Sequence, residues 1–325
     1  MRIAVDTTPL RLTGAGTARY LRNLLQRIES EHDVRRVAFG GAGKASVLAR
    51  ELAWYPVVLG RLGGVDVLHC PTYYGPLRPR VPLVVTVLDL SVFRHPEAFP
   101  RWTRTAVPVL VPRVVRAARR ILAISEFTKS EVVEVLRVPA EKVAAVPLAV
   151  ETGIFRADGE ATEGDYVLAV ATLEPRKNLA RVAEAARQLG VELRVVGAAG
   201  WGGVSVAGEG VRWLGRVGDE ELARLYRGAA VVAYPSLYEG FGFPILEGMA
   251  CGTPVVTSRG GSMEEVAGGA AVLVDPLDPA SIAAGIEEAR SRRDELRERG
   301  LVRAAAFSWD ETARRTVEVY REASA

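Results

Sequence analysis

The chain has 325 residues, 49% of them hydrophobic and 25% charged, with a net charge of +3 and two cysteines, Cys70 and Cys251. These figures suit two soluble domains of ordinary size. They exclude a disulfide scaffold, a Cys-based metal site and, with no run of about 18 uncharged apolar residues, a membrane span. The charge is unevenly spread: residues 1–150 hold 22 Lys and Arg against 12 Asp and Glu, a balance of +10, and the remainder hold 20 against 27, a balance of −7. A basic first half and an acidic second half present different surfaces to different partners. The N-terminal stretch MRIAVDTTPL reads as a strand and turn, without the long apolar core of a signal peptide, so a cytoplasmic protein is expected.

Short β-rich runs alternate with helical stretches, which predicts parallel α/β architecture. The first half gives strands at 2–6, 34–39, 65–69, 83–88, 121–124 and 143–146, with helices at 17–29, 100–118 and 126–136. A polar stretch without periodicity, 151–164, reads as a linker. Beyond it come strands at 166–171, 192–196, 230–234, 254–257 and 271–274, with helices at 179–189, 219–227, 244–250, 279–290 and 309–322. Two doubly wound sheets joined in this way bind ligands at the carboxyl ends of their strands.

The densest chemical signal is Tyr238-Glu239-Gly240-Phe241-Gly242-Phe243-Pro244-Ile245-Leu246-Glu247. Pro244 suits the start of a helix, and Gly240 and Gly242 let backbone approach a ligand. Free N–H groups from about Phe243 to Glu247 then form an anion site suited to a diphosphate. Glu239 and Glu247, on either side of it, can grip vicinal hydroxyls. The bland reading is a helix start whose acids complement the dipole. The second signal, Leu173-Glu174-Pro175-Arg176-Lys177-Asn178, puts two adjacent cations after a strand, where they can neutralise a diphosphate leaving group.

Other segments are thinner. Thr13-Gly14-Ala15-Gly16-Thr17 follows the first strand, but Arg19 stands where a dinucleotide fingerprint needs its third glycine. Gly40-Gly41-Ala42-Gly43-Lys44 lacks phosphate-loop spacing and reads as a turn. Asp89 ends a strand, where it meets substrate or caps a turn. His32, His69 and His95 show no metal spacing; His69 ends a strand and can line the cleft. Ser262-Met263-Glu264-Glu265 has capping-box spacing. The stretch 101–120 carries six arginines, with Trp102, Val107, Leu110 and Val114 as apolar partners. It can meet an anionic membrane surface or a lipid-linked acceptor, or simply pack on its own sheet; Pro108 and Pro112 argue against a clean interfacial helix.

The Glu239–Glu247 spacing inside EGFGFPILEGMACGTPVV resembles the donor signature of family 4 glycosyltransferases, and LEPRKNL is similar to their phosphate-binding loop, especially in members that resemble mannosyltransferases. The glycine loop, DVLHCP, TVLDLSVFRHPEAFP, AISEFTKSEV, LGRVGDEELARLYRGA and the last helix extend the resemblance over nearly the whole chain.

That resemblance implies a GT-B fold of two Rossmann-like domains, 1–155 and 160–305, with a helix 308–325 that returns to the first. It implies Arg176 and Lys177 on the donor diphosphate and Glu247 on the ribose hydroxyls. Glu239 and the amides of Gly242 and Phe243, beside Pro244, Ile245 and Leu246, would hold the transferred sugar. Gly215, Arg216 and Val217 would lie by the base, and Gly14 and Gly16 would close on the phosphates. Many members read His-Asp where this chain reads Leu88-Asp89; either Asp89 or another group compensates, or activity is altered, or the correspondence is shifted along the chain.

The expected function is metal-independent, retaining transfer of a hexose, mannose favoured, from GDP-mannose or a UDP-sugar. The acceptor would be a glycan, a lipid-linked molecule or a small molecule in polysaccharide biosynthesis. No cofactor beyond that substrate, no metal and no nucleic acid are expected; contact with the inner face of a membrane is. The candidate catalytic residues are Glu239, Arg176, Lys177 and Asp89. The competing readings are a GT-B sugar-nucleotide epimerase or hydrolase, and a binding protein left inactive by Leu88.

Overall fold

The computed structural model describes residues 1–14, 16–41, 43–200, 202–203 and 208–325. They form two units, 1–148 with 309–325, and 149–308. Each is built on a parallel six-stranded sheet, so the alternating β and helical runs predict the architecture correctly.

The first unit runs β1 (Arg2–Asp6), α1 (Pro9–Leu12), α2 (Gly16–Ile28), β2 (Asp33–Val37), α3 (Lys44–Ala49) and a wider helical turn, Arg50–Val58. It continues through β3 (Val67–Cys70), β4 (Leu83–Val87), α4 (Ser91–Arg94), α5 (Arg101–Ala117), β5 (Arg120–Ala123), α6 (Glu126–Leu136) and β6 (Val143–Ala145). Its strand order is β2-β1-β3-β4-β5-β6. The second unit runs β7 (Tyr166–Val170), α7 (Leu179–Leu189), β8 (Glu192–Val196), β9 (Val211–Gly215), α8 (Asp219–Gly228), β10 (Val231–Tyr234), α9 (Phe243–Ala250), β11 (Val255–Ser258), α10 (Gly261–Ala267), β12 (Val272–Val274), α11 (Pro279–Ser291) and α12 (Arg293–Ala305). Its order is β12-β11-β10-β7-β8-β9. The central strands, such as LVVTV in β4 and VVAY in β10, are buried along their whole length, which is why they read as continuous apolar runs.

The sequence reading lacks the helices α3, α4, α10 and α12 and the turn Arg50–Val58. The short helix α1 precedes the glycine loop, and β9 is a strand with partly exposed residues that pairs only with β8. The stretch 151–164 is largely exposed, as expected of a linker, but is pinned at points: Phe155 is buried against Tyr226, their rings 5.9 Å apart, and Thr162 N donates to Arg224 O. Helix α5 agrees with the helix expected at 100–118; it runs unbroken through Pro108 and Pro112 and buries Val107, Val111, Val114 and Val115. Ala15 and Ala42, in the two glycine-containing stretches of the first half, lie outside the described residues.

Helix α13 (Trp309–Ser324) belongs to the first unit, and one polar chain in the core helps fix it. His69, on β3, is fully buried. Its Nδ1 lies 2.7 Å from the Tyr320 hydroxyl on α13 and its Nε2 lies 2.8 Å from Thr86 Oγ1 on β4. Tyr20 on α2 closes the chain 3.1 Å from the same Thr86 oxygen. A neutral imidazole donates from one nitrogen and accepts at the other, so it satisfies both neighbours without a buried charge. His69 is therefore a core residue and lines no cleft. Cys70 and Cys251 are buried free thiols.

Burial pushes the His69 pKa down to about 3. The unfolded chain takes up this proton near pH 6.5 and the folded one does not, so this contribution to stability is full above about pH 6.5 and is lost as the pH falls toward 3. Between pH 7 and pH 5 unfolding free energy should drop on the order of 2 kcal/mol from His69 alone. Urea titrations of wild type and His69→Gln at both pH values test this: the variant should lose most of that slope, and an unchanged slope refutes it.

Candidate active site

The strand order of the second sheet reverses between β7 and β10: the chain goes from β7 to β8 and β9 on one side, then from β10 to β11 and β12 on the other. Loops leaving two adjacent strands in opposite directions open a crevice at their carboxyl ends. Here those loops carry 171–178 from β7 and 235–242 from β10.

The two loops are tied together. Pro175 opens a tight turn, Pro175–Lys177, and Asn178 follows with φ +60°, a left-handed conformation that ends the turn and starts α7. The buried Asn178 side-chain amide donates to Pro235 O at 2.9 Å and to Pro276 O at 2.6 Å. Leu237 N donates to Arg176 O at 2.8 Å. Ser258 Oγ holds Ser236 O at 2.6 Å, and Ser262 Oγ holds Glu239 O at 2.7 Å. Ser262 thus sits inside α10 and is no N-cap. Glu264 alone performs half of the expected box, accepting from Gly260 N.

This frame converges four charges. Arg176 Nη1 donates to Glu239 Oε2 at 2.8 Å and to Tyr238 O at 2.6 Å, and Nη2 donates to Glu174 Oε1 at 2.8 Å. Lys177 Nζ donates to Glu239 Oε1 at 2.6 Å and to the Tyr234 hydroxyl at 3.1 Å, with Glu174 Oε1 at 4.0 Å. Both cations are mostly buried, 11% and 13% exposed. Burial alone would raise the Glu239 pKa, but Lys177 and Arg176 outweigh it and bring it down to about 2. Glu239 is therefore an anion at any ordinary pH. Burial, with Glu239 nearby, pushes the Tyr234 hydroxyl far up, so it stays a neutral donor or acceptor.

Helix α9 starts beside this cluster. Its N-cap, Gly242, has φ +129°, and an added Cβ would come within 2.9 Å of Ile245 Cδ1, so only glycine fits. Pro244 takes the first turn, where the N–H has no intrahelical partner to lose. Phe243 and Pro244 are half-buried, whereas Ile245 and Leu246 are buried and can offer only backbone. Glu247 does not join the cluster: it is 2% exposed and accepts from the Tyr226 hydroxyl on α8 at 2.7 Å. Gly215, with φ +69°, ends β9 at the same edge of the sheet, followed by exposed Arg216 and half-buried Val217.

The remaining candidates are in the first unit. Gly14 is exposed and Gly16 opens α2. Asp89 accepts from Ser91 N at 2.9 Å and from Ser91 Oγ, so it shapes the turn into α4; Leu88 beside it is half-buried. Sequence reasoning missed Glu174, Tyr234, Asn178 and Ser262 as parts of the second unit's site. The first three were within reach, as neighbours of Arg176 and Lys177 or as the end of β10. Among the described residues, no group of three or more His, Cys, Asp or Glu could hold a metal ion.

Comparison with known proteins gives this geometry its context. A model described as Glycosyltransferase Family 4 matches residues 14–153, and one described as Glycosyl transferases group 1 matches residues 164–291. The O-antigen chain mannosyltransferase B of Escherichia coli is 34% identical over 283 residues, covering 78% of this chain and 74% of that protein. The chain belongs to the family 4 glycosyltransferases. The MMP alpha-(1->4)-mannosyltransferase of Mycolicibacterium hassiacum is 32% identical over 302 residues, covering 83% of this chain and 73% of that protein. In fold the transferase resembles Anabaena HepE, solved in complex with UDP-glucose, with a TM-score of 0.75 at 18% identity over 98% of both chains. The fold is GT-B and the protein is a hexosyltransferase. These relatives give no support to an epimerase, a hydrolase or an inactive binding protein.

The clamp on the cation turn has a measurable consequence. Asn178→Ala places an ordinary residue at positive φ and frees two buried carbonyls, so it should cost about 3 kcal/mol in urea unfolding. Asn178→Gly restores the conformation but not the bonds and should recover about 1 kcal/mol of that. Equal losses in the two variants would show that the left-handed turn stores nothing.

Proposed function

We propose that this transferase moves a hexose, with mannose first among candidates, from a nucleoside-diphosphate sugar to an acceptor, with retention at the anomeric carbon. The observation that carries the reading is the convergence of Arg176, Lys177 and the α9 N-terminus at the strand-order reversal of the second sheet. Two cations and the positive end of a helix suit a diphosphate, and they stabilise it most as it departs with an added charge. The two mannosyltransferase relatives favour mannose, and one of them acts on O-antigen chains, which favours a glycan or lipid-linked acceptor. HepE was solved with UDP-glucose, which favours a nucleotide sugar as donor. GDP-mannose and UDP-sugars are the donors to try.

In this reading Arg176 and Lys177 take the charge that develops on the diphosphate, so neither a metal nor another cofactor is required. Glu239 and the amides of Gly242 and Phe243 orient the sugar. The oxocarbenium-like centre is attacked on the face from which the diphosphate leaves, and a leaving-group oxygen takes the acceptor's proton. Gly215 to Val217 serve the base, and Gly14 and Gly16 serve the phosphates. Glu247 remains the proposed ligand of the ribose hydroxyls, with its Tyr226 bond fixing one carboxylate oxygen.

Helix α5 supports contact with an anionic membrane surface. No Asp or Glu occurs between Glu97 and Glu126, while Arg101, Trp102, Arg104, Val109, Arg113 and Arg116 are all exposed. Basic side chains attract anionic head groups, and an exposed indole settles at their level. No described helix is long and apolar enough to cross a membrane, so such contact would be peripheral.

Lys177→Ala should lower turnover about 10²–10³-fold in protein that remains folded at the assay temperature, although loss of a buried ion-pair partner also lowers Tm. Assays with GDP-mannose, UDP-glucose and UDP-GlcNAc, read by NMR for the product's anomeric configuration, test both parts: near-normal turnover removes the cation role, and inversion removes the mechanism. Co-sedimentation with phosphatidylglycerol vesicles should fall on Trp102→Ala with Arg104→Glu and with rising salt. Absence of wild-type binding at low salt removes the membrane contact.

A further inference from the structure

The cations proposed to receive the diphosphate are already paired with carboxylates. Glu239 gives one oxygen to each of them, and Glu174 takes the other end of the Arg176 guanidinium. Two cations and two carboxylates leave the cluster with no net charge, so as it stands it offers an incoming anion little attraction. Nor can Glu239 grip sugar hydroxyls freely while both its oxygens accept from cations. Both difficulties have one solution.

We propose that donor binding is a counter-ion exchange, in which the diphosphate replaces Glu239 on Arg176 and Lys177 and so releases the Glu239 carboxylate to the sugar. The inference rests on the donor site proposed above and adds an order of events to it. The structure assigns different parts to the two acids. Glu174 is in the same turn as Arg176, two residues away, and is 4% exposed. It stays on the guanidinium and is a positioning residue. Glu239 reaches across from the other loop, and its carbonyl is held separately by the Ser262 hydroxyl. Its side chain can therefore rotate off the cations without loosening the loop. While it lies between the two cations it is held ionised, so it is as a carboxylate that it leaves them.

A competing carboxylate must weaken the binding of whatever competes with it. Glu239→Gln keeps the shape and removes the charge, so free nucleoside diphosphate should bind at least about tenfold tighter than to wild type. Transfer should fall, because the group that orients the sugar is altered. The gain should be smaller for the nucleotide sugar than for the free diphosphate, since only the sugar uses Glu239. A merely structural Glu239 would move both ligands alike and in the direction of weaker binding.

Calorimetric titration of GDP and UDP, and of GDP-mannose and UDP-glucose, into wild type and Glu239→Gln decides the matter. Tighter diphosphate binding with reduced turnover supports exchange; unchanged or weaker binding overturns it. Glu174→Gln provides a second variant should the first fail to fold. It removes one negative charge without touching the sugar ligand, so it should tighten diphosphate and nucleotide sugar equally, and a loss of both overturns the proposal. If neither wild type nor variants bind any of the four ligands, the donor site itself is wrong and the exchange falls with it.

Discussion

The second unit depends on one arrangement, the buried quartet of Arg176, Lys177, Glu174 and Glu239. Taking four ions out of water costs several kcal/mol each, and mutual attraction recovers that only when geometry and hydrogen bonding are nearly complete. The surroundings supply that completeness. Tyr238 O and the Tyr234 hydroxyl add further bonds to the cations, Ser262 holds the Glu239 backbone, and Asn178 fixes the turn on which both cations ride. An apolar cluster of the same volume would stabilise the unit as well or better. A quartet kept at this cost, at a sheet's carboxyl edge, is best explained by what it binds.

The first unit meets a similar burial requirement in the opposite way. His69 is as deep as any residue of its sheet, yet it stays neutral because its two nitrogens face two hydroxyls, of which one donates and one accepts. Tyr320 brings α13 into that chain, so the last helix is locked to β3 and β4 by polar bonds as well as apolar packing. Protonation would break the chain at its centre. The same burial that holds an ionised Glu239 between two cations therefore keeps His69 uncharged, and the difference lies wholly in the neighbours.

Most strands were legible because parallel sheets bury both faces and leave continuous apolar runs. β9 was not, since VRWLG sits at the sheet edge with exposed Arg212 and Trp213 and reads as surface. The turn Arg50–Val58 was hidden by Pro56, which ordinarily argues against a helix. At the site, sequence order recorded adjacency but not direction. Glu239 and Glu247 look like an equivalent pair, yet the positive φ of Gly242 turns the chain between them. One then faces cations and the other faces Tyr226. Ser262 shows the same limit, because a residue type suited to capping its own helix is used to hold the backbone of another loop.

The neutrality of the quartet also bears on selectivity. A cluster of bare cations would attract phosphate, sulfate and every nucleotide with similar strength, and the cell holds these in excess over any nucleotide sugar. With Glu239 in place an anion must first displace a carboxylate, and the displaced carboxylate must then find hydrogen-bond donors or remain buried and unpaired, which is expensive. Sugar hydroxyls are such donors, and a sulfate or a fully ionised diphosphate has none to offer. Under the proposed exchange, the charge that weakens diphosphate binding is repaid only by a ligand that brings both halves of the donor. Affinity for the fragment is given up, and discrimination in favour of the whole molecule is gained.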